Sequence, residues 1–320
     1  MSDVALRIHT IVACIDFTQA SDRALVFARR FAVQHSAQLL LVHIVDPAAI
    51  SPEEMDAHVV LSEMIASAKN DLQKICTELT DSSLQASWIV RHGNVRDMIL
   101  EVARASHADL MVLGSKGMEL TGRSRFGTMA EQLVRAAPCP VLTVVPEARR
   151  QEPEKERRRL LLVPTDFSPA SQAAFLYALA FAKSAGCVLL LVHAVEDSFA
   201  VEPIAGQLAK LRARGMQMLL ASARAAHVQA ESVVRTGDAI EIILDLAIDR
   251  NADYIVMGVR GGDLIDGTRL HGRVQHLMRR SPCPLFSIYL GKSQAKVLSG
   301  HTDAEKVSLI ESHTNRFPVP

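Results

Sequence analysis

The chain carries no excess charge of either sign. Lys and Arg number 35, and Asp and Glu number 35. That balance excludes a whole-chain basic field for nucleic acid or an anionic membrane. Apolar runs stay well short of the roughly 18 residues a membrane span needs. The segment Met1-Ser2-Asp3-Val4-Ala5-Leu6-Arg7 has no basic stretch followed by an apolar core, so no secretory signal is expected. Cysteine is sparse: Cys14, Cys76, Cys139, Cys187 and Cys283, with no CxxC spacing. Most lie in apolar runs, which predicts buried thiols, a reducing compartment and a cytoplasmic protein. Enzyme signatures are missing too. There is no G-x4-GK-[ST] loop, no SGGxDS loop and no HIGH or KMSKS motif. No base–nucleophile pair and no carboxylate or cysteine cluster with metal-ligand spacing is evident.

What the chain does have is a repeat of itself. Ile15-Asp16-Phe17-Thr18-Gln19-Ala20-Ser21 returns as Thr165-Asp166-Phe167-Ser168-Pro169-Ala170-Ser171, and Leu40-Leu41-Val42-His43 returns as Leu190-Leu191-Val192-His193, both 150 residues on. Ala108-Asp109-Leu110-Met111-Val112-Leu113-Gly114 returns as Ala252-Asp253-Tyr254-Ile255-Val256-Met257-Gly258, and Pro138-Cys139-Pro140 as Pro282-Cys283-Pro284, both 144 residues on. The second copy has therefore lost six residues between His193 and Gly237. The expected organisation is a first domain over 1–146, a charged linker over 147–158, a second domain over 159–290 and a tail over 291–320. Each copy is long enough to bury its own core. The linker mixes acids with bases and holds no aromatics, so it reads as an exposed connector rather than a nucleic-acid patch.

Within one copy, strands and helices alternate. Thr10 to Ile15 is a continuous apolar run, as in a strand covered on both faces. Ala24, Leu25, Ala28, Phe31 and Ala32 fall at helical spacing over 21–35. Gln38–Val45 predicts a second buried strand, and Ser51-Pro52-Glu53-Glu54 a helix start leading towards Leu79. Leu84–Val90 is the next expected strand and Val95–Ser106 the next helix. A strand at Leu110–Leu113, a helix from Gly127 to Ala136 and a last strand at Val141–Val145 complete the copy. Such alternation predicts an α/β fold with a doubly wound parallel sheet. Ligands in that fold bind at the carboxyl ends of the strands. Asp16, His43-Ile44 and Gly114 all fall at carboxyl ends.

One motif stands at such an end. Residues 114–128 fit G-x2-G-x9-G-[ST], with glycines at 114, 117 and 127 and Thr128 last. Glycine lets a backbone turn sharply and bring its N–H groups close to an anion. A helix opening there adds unpaired donors and a positive dipole end, which suits phosphate. By itself the motif also reads as a tight surface loop. Asp16 and Asp166 read equally as helix caps. His43 and His193 read as satisfied strand-end histidines. Cys139 and Cys283, each between prolines, read as structural.

Taken together, these residues resemble a tandem universal stress protein. The resemblance is carried by Asp16-Phe17-Thr18, Leu41-Val42-His43-Ile44, Gly93, Ala108-Asp109-Leu110, the Gly114–Thr128 motif and Pro138-Cys139-Pro140-Val141, with nearly the same set in the second copy. It implies five-stranded parallel sheets of the adenine-nucleotide alpha-hydrolase-like kind, with the two copies packed as a pseudo-dimer through their last strands, Val141–Val145 and Leu285–Ile288. It also implies ATP, with or without Mg2+, as cofactor. Position by position, Asp16 meets the adenosine, and the main chain of Ile44 meets adenine. Gly114, Ser115, Gly117, Gly127, Thr128 and the Met129 main chain hold the phosphates, with Lys116, Arg123 and Arg125 nearby. Charge-assisted donors contribute about 1.5–3 kcal/mol each, so a few of them reach the roughly 8 kcal/mol of micromolar binding after ordering costs.

The second copy departs from the motif. Val259 stands where the first has Ser115, Gly261 is followed one residue late by Gly272, and Arg273 replaces the hydroxyl residue. Asp263 and Asp266 add negative charge, against Arg260, Arg269 and Arg273. A weak or empty nucleotide site is expected there. The resemblance implies a stress-response regulator or sensor that binds ATP in its first domain, with a slow ATP hydrolase or a nucleotide-independent scaffold as alternatives. The expected partners are an adenine nucleotide and, within the chain, the other copy. Neither nucleic acid nor membrane is expected, and further homodimerisation is left open. A bulky residue at Gly114 or Gly127 is expected to abolish binding with the fold intact.

Overall fold

The computed structural model describes residues 6–50, 56–81, 84–115, 129–145, 157–196, 204–260 and 276–290. The chain divides into two compact units. Arg7–Pro146 forms one, and the described residues from 157 onward belong to the other.

In the first unit the strands are β1 (Thr10–Cys14), β2 (Gln38–Val45), β3 (Ala86–His92), β4 (Leu110–Gly114) and β5 (Val141–Val144). They lie in the order β3-β2-β1-β4-β5. Every pairing within the unit is parallel. Chain order reverses between β1 and β4, so the switch point of the sheet falls there. β1, β2 and β4 are buried almost throughout, because helices cover both faces of a parallel sheet. β3 is only partly buried. It has a neighbour on one side and runs two residues beyond the sequence expectation of Leu84–Val90. It stops where Gly93 turns the chain at φ 134°, a conformation that favours glycine.

The helices are α1 (Gln19–His35), α2 (Ala57–Asp81), α3 (Val95–Ala105) and α4 (Met129–Val134). Their ends follow from local chemistry. The Thr18 side chain accepts from the Ser21 N–H at the start of α1, and Asn94 accepts from the Asp97 N–H at the start of α3. Ser36, left-handed at φ 52°, closes α1. The expected start of α2 at 51–54 and the first residues of the helix from Gly127 lie outside the described residues.

The second unit repeats the plan. Its strands are β6 (Leu160–Pro164), β7 (Val188–Val195), β8 (Ala230–Thr236), β9 (Tyr254–Arg260) and β10 (Leu285–Leu290), ordered β8-β7-β6-β9-β10 and parallel. Its helices α5 (Pro169–Ala185), α6 (Ile204–Ala225) and α7 (Ala239–Asp249) precede a helical turn at 276–280. Backbone detail repeats as well. Phe17 and Phe167 share φ near 60°, Gly93 and Gly237 are at 134° and 139°, and His107 and Asn251 are both at 49°.

A carboxylate fastens the amino end of each sheet. Asp109 accepts from the His9 and Thr10 amides at 2.7 and 3.0 Å. Asp253 accepts from the Leu160 amide at 2.7 Å, and its two oxygens accept from Arg157 Nη2 at 2.9 and 3.0 Å. Among the described residues no helix is long and apolar enough to cross a membrane.

Candidate site at the carboxyl end of the first sheet

The hydrogen-bond ladder between β1 and β2 ends at a definite point. The Ile15 N–H donates to the Val42 carbonyl at 2.8 Å, and the Ile15 carbonyl is taken by His43 Nδ1 at 2.7 Å. A carbonyl only accepts, so Nδ1 carries the proton in this contact. Val42 aims its main-chain groups at β1, and by strand alternation so does Ile44, one step past the end of the ladder. Among the described residues, no hydrogen bond joins the Ile44 amide to Ile15.

Asp16 follows at once and is exposed. Its Oδ1 accepts from the Thr18 N–H at 3.0 Å and from the Thr18 hydroxyl at 2.5 Å. Asp16 thus braces the cap residue, and Thr18 makes the cap. Phe17, between them, is left-handed and 40% exposed, and its ring lies 4.7 Å from that of His43. A left-handed phenylalanine costs about 1–3 kcal/mol, and such strain collects at functional turns. Phe17 is the residue missed in the sequence reading. Its signal was the recurrence of Asp-Phe-[Thr/Ser] in both copies.

Gly114 ends β4, but its glycine is explained by packing. A Cβ there would lie 2.4 Å from the Ala20 carbonyl carbon and 2.7 Å from the Ser21 nitrogen, in the first turn of α1. A bulky residue at Gly114 therefore presses on the start of α1, so such a change costs stability as well as acting on the motif. Ser115 is 3% exposed, and its N–H donates to the Val144 carbonyl at 2.8 Å. That amide belongs to the sheet. Met129 is the first described residue of α4 and is exposed. Asp16, Ile44, Gly114 and Ser115 all lie at the carboxyl ends of the central strands. Gly117, Gly127 and Thr128, with Lys116, Arg123 and Arg125, lie outside the described residues.

The second unit keeps the framework and buries its histidine more deeply. His193 Nδ1 meets the Thr165 carbonyl at 2.8 Å, and the Phe167 ring lies 4.7 Å from the His193 ring. Here α6 approaches. A Cβ on Gly215 would come within 2.7 Å of the Phe167 ring. His193 is only 7% exposed, and its Nε2 has no partner among the described residues. Gly258 repeats the packing of Gly114, with a Cβ only 2.0 Å from the Ala170 oxygen. Gly261, Asp263, Asp266, Arg269, His271, Gly272 and Arg273 lie outside the described residues.

Thiol chemistry is suppressed. Burial, with Asp253 adding to it, pushes Cys283 up to about 12 against the pull of its Ser281 contact. Burial likewise raises Cys139, and lifts Cys187 to about 11. Among the described residues, no group of three His, Cys, Asp or Glu side chains is placed to hold a metal ion.

Comparison with known proteins agrees with this architecture. The sequence profile of the Universal stress protein family matches residues 7–145 and again 157–288. A universal stress protein of Thermus aquaticus is 29% identical over 135 residues, covering 42% of this chain and 97% of the relative. A universal stress protein structure from Archaeoglobus fulgidus superposes with a TM-score of 0.69 at 19% identity, covering 91% of this chain and 99% of that one. An Arabidopsis thaliana family member, solved with AMP bound, matches at a TM-score of 0.32 and 16% identity, over 42% of this chain and 94% of its own. With both of its halves matched in register with the two sheets, the chain belongs to the universal stress protein family and carries two copies of its domain.

Proposed function

We propose that the first unit binds an adenine nucleotide, ATP with or without Mg2+, and that the chain acts as a regulator responding to nucleotide state. One observation carries this reading. At the carboxyl edge of the sheet the β1–β2 ladder stops one step short of Ile44, beside the exposed carboxylate of Asp16. A main-chain N–H and C=O facing one way suit the donor–acceptor edge of a base. A carboxylate accepts from both hydroxyls of a ribose, each such bond being worth about 1.5–3 kcal/mol.

The phosphates extend along the segment from Gly114 towards Met129. With the Ser115 amide committed to Val144, the main-chain donors for phosphate come from further along, around Gly117, Gly127 and Thr128. Gly114 acts by letting α1 sit close. In the second unit Phe167 lies against Gly215, and the expected ligand count is one nucleotide per chain. Denaturing the purified protein and separating the released small molecules by chromatography tests the reading. One adenine nucleotide per chain supports it. Protein that neither releases one nor takes up added ATP by calorimetry refutes it.

A further inference from the structure

In a parallel pair, the bond after Ile15 N–H to Val42 C=O runs from the Ile44 N–H to the Ile15 carbonyl. That bond is missing. The Ile15 oxygen is instead held by a side chain, His43 Nδ1, at 2.7 Å. The same substitution occurs in the second unit, where His193 holds the Thr165 carbonyl at 2.8 Å and no bond reaches it from Ala194. Each imidazole is held from outside by a left-handed phenylalanine, Phe17 or Phe167, at 4.7 Å between ring centroids. Ile44 is only 8% exposed, and a main-chain amide in such a place is costly to leave without a partner. The arrangement therefore withholds a sheet bond at the one position where the ladder meets the candidate site.

We propose that His43 is a positioning residue for the base. Its Nδ1–H occupies the Ile15 carbonyl, stops β1 from pairing with Ile44, and keeps the Ile44 N–H and C=O free for the ligand. This rests on the adenine-nucleotide reading, and Phe17 serves it by fixing the ring. Asparagine carries its amide nitrogen at the same distance from Cβ as Nδ1, so His43→Asn retains the donor, whereas His43→Leu removes it.

The test combines ATP titration with hydrogen exchange at the Ile44 amide. His43→Leu weakens ATP binding by about tenfold or more, while His43→Asn stays within about threefold of the parent protein. In ligand-free protein the Ile44 amide exchanges readily in the parent and in His43→Asn, and becomes protected in His43→Leu, where it pairs with the released Ile15 carbonyl. His193→Leu, the matching change in the second unit, leaves ATP binding at parental strength. Parental binding by His43→Leu overturns the proposal, as does His43→Asn binding as weakly as His43→Leu. If the parent chain binds no ATP, the nucleotide reading fails on its own, and the exchange comparison then decides. Equal Ile44 exchange in parent and His43→Leu overturns the role of His43. Should His43→Leu not fold, His43→Ala takes its place against His43→Asn.

Discussion

The first turn of α1 lies against Gly114 so closely that a Cβ there would be 2.4 Å from the carbonyl carbon of Ala20. Gly258 stands in the same relation to Ala170. Backbone cannot retreat as a flexible side chain can, so Gly114→Ala and Gly258→Ala each cost about 1–3 kcal/mol of stability. Urea unfolding measures this. A Gly114→Ala midpoint equal to that of the parent would contradict it. Any loss of ligand binding in Gly114 variants then reports a displaced helix.

Asp16 separates binding from folding more cleanly. Asp16→Asn keeps an oxygen for Thr18 and removes the charge. ATP affinity falls about tenfold, the worth of one charge-assisted hydrogen bond, while thermal stability stays near that of the parent. Calorimetry and a melting curve on the same sample check both parts, and unchanged affinity removes Asp16 from the site.

The two sheet-fastening carboxylates differ in consequence. Asp109→Ala leaves two amides of the β1 approach, at His9 and Thr10, without their acceptor. Asp253→Ala unpairs the Leu160 amide and Arg157 Nη2 together. Asp253 is buried and Arg157 half-exposed, so the cost is about 3 kcal/mol, larger than for Asp109→Ala. Equal unfolding midpoints for the two variants would count against this ordering.

Buried thiols set an alkaline limit. The Cys283 thiol, raised from an ordinary 9.0 to about 12, holds its proton more tightly in the folded chain than in the unfolded one. Its contribution to stability is whole below pH 9 and is lost as pH rises through 12. Stability of the parent therefore falls more steeply over that window than stability of Cys283→Ala. Parallel slopes would refute the assignment. At pH 8 the Cys139, Cys187 and Cys283 thiols resist alkylation until denaturant is added.

Much of the fold was legible because strand burial and helix spacing are local patterns. The apolar run at Gln38–Val45 became β2 with the same bounds, and Val95 began α3 as its Asn94 cap requires. β3 was placed two residues early, since a half-exposed strand lacks the continuous apolar run that marks its neighbours. At the candidate site the residues were legible and their reasons were not. Gly114 reads as a place for phosphate to approach, and its missing Cβ also makes room for Ala20, distant in sequence. Ser115 reads as a phosphate contact by its hydroxyl, and its amide donates to the Val144 carbonyl. Phe17 carries no warning of its left-handed backbone, and the ring it lies against, His43, comes from another strand.

The sequence by itself determined that the chain is two copies of one α/β unit, with the second copy altered at its glycine motif, because repetition and hydrophobic period are written along the chain. Only the tertiary structure decided which carbonyl His43 holds, where the β1–β2 ladder ends and that Phe167 lies against Gly215. Those contacts join segments 28 to 48 residues apart, and a hydrogen bond or a close packing distance between them exists only after the strands are laid side by side.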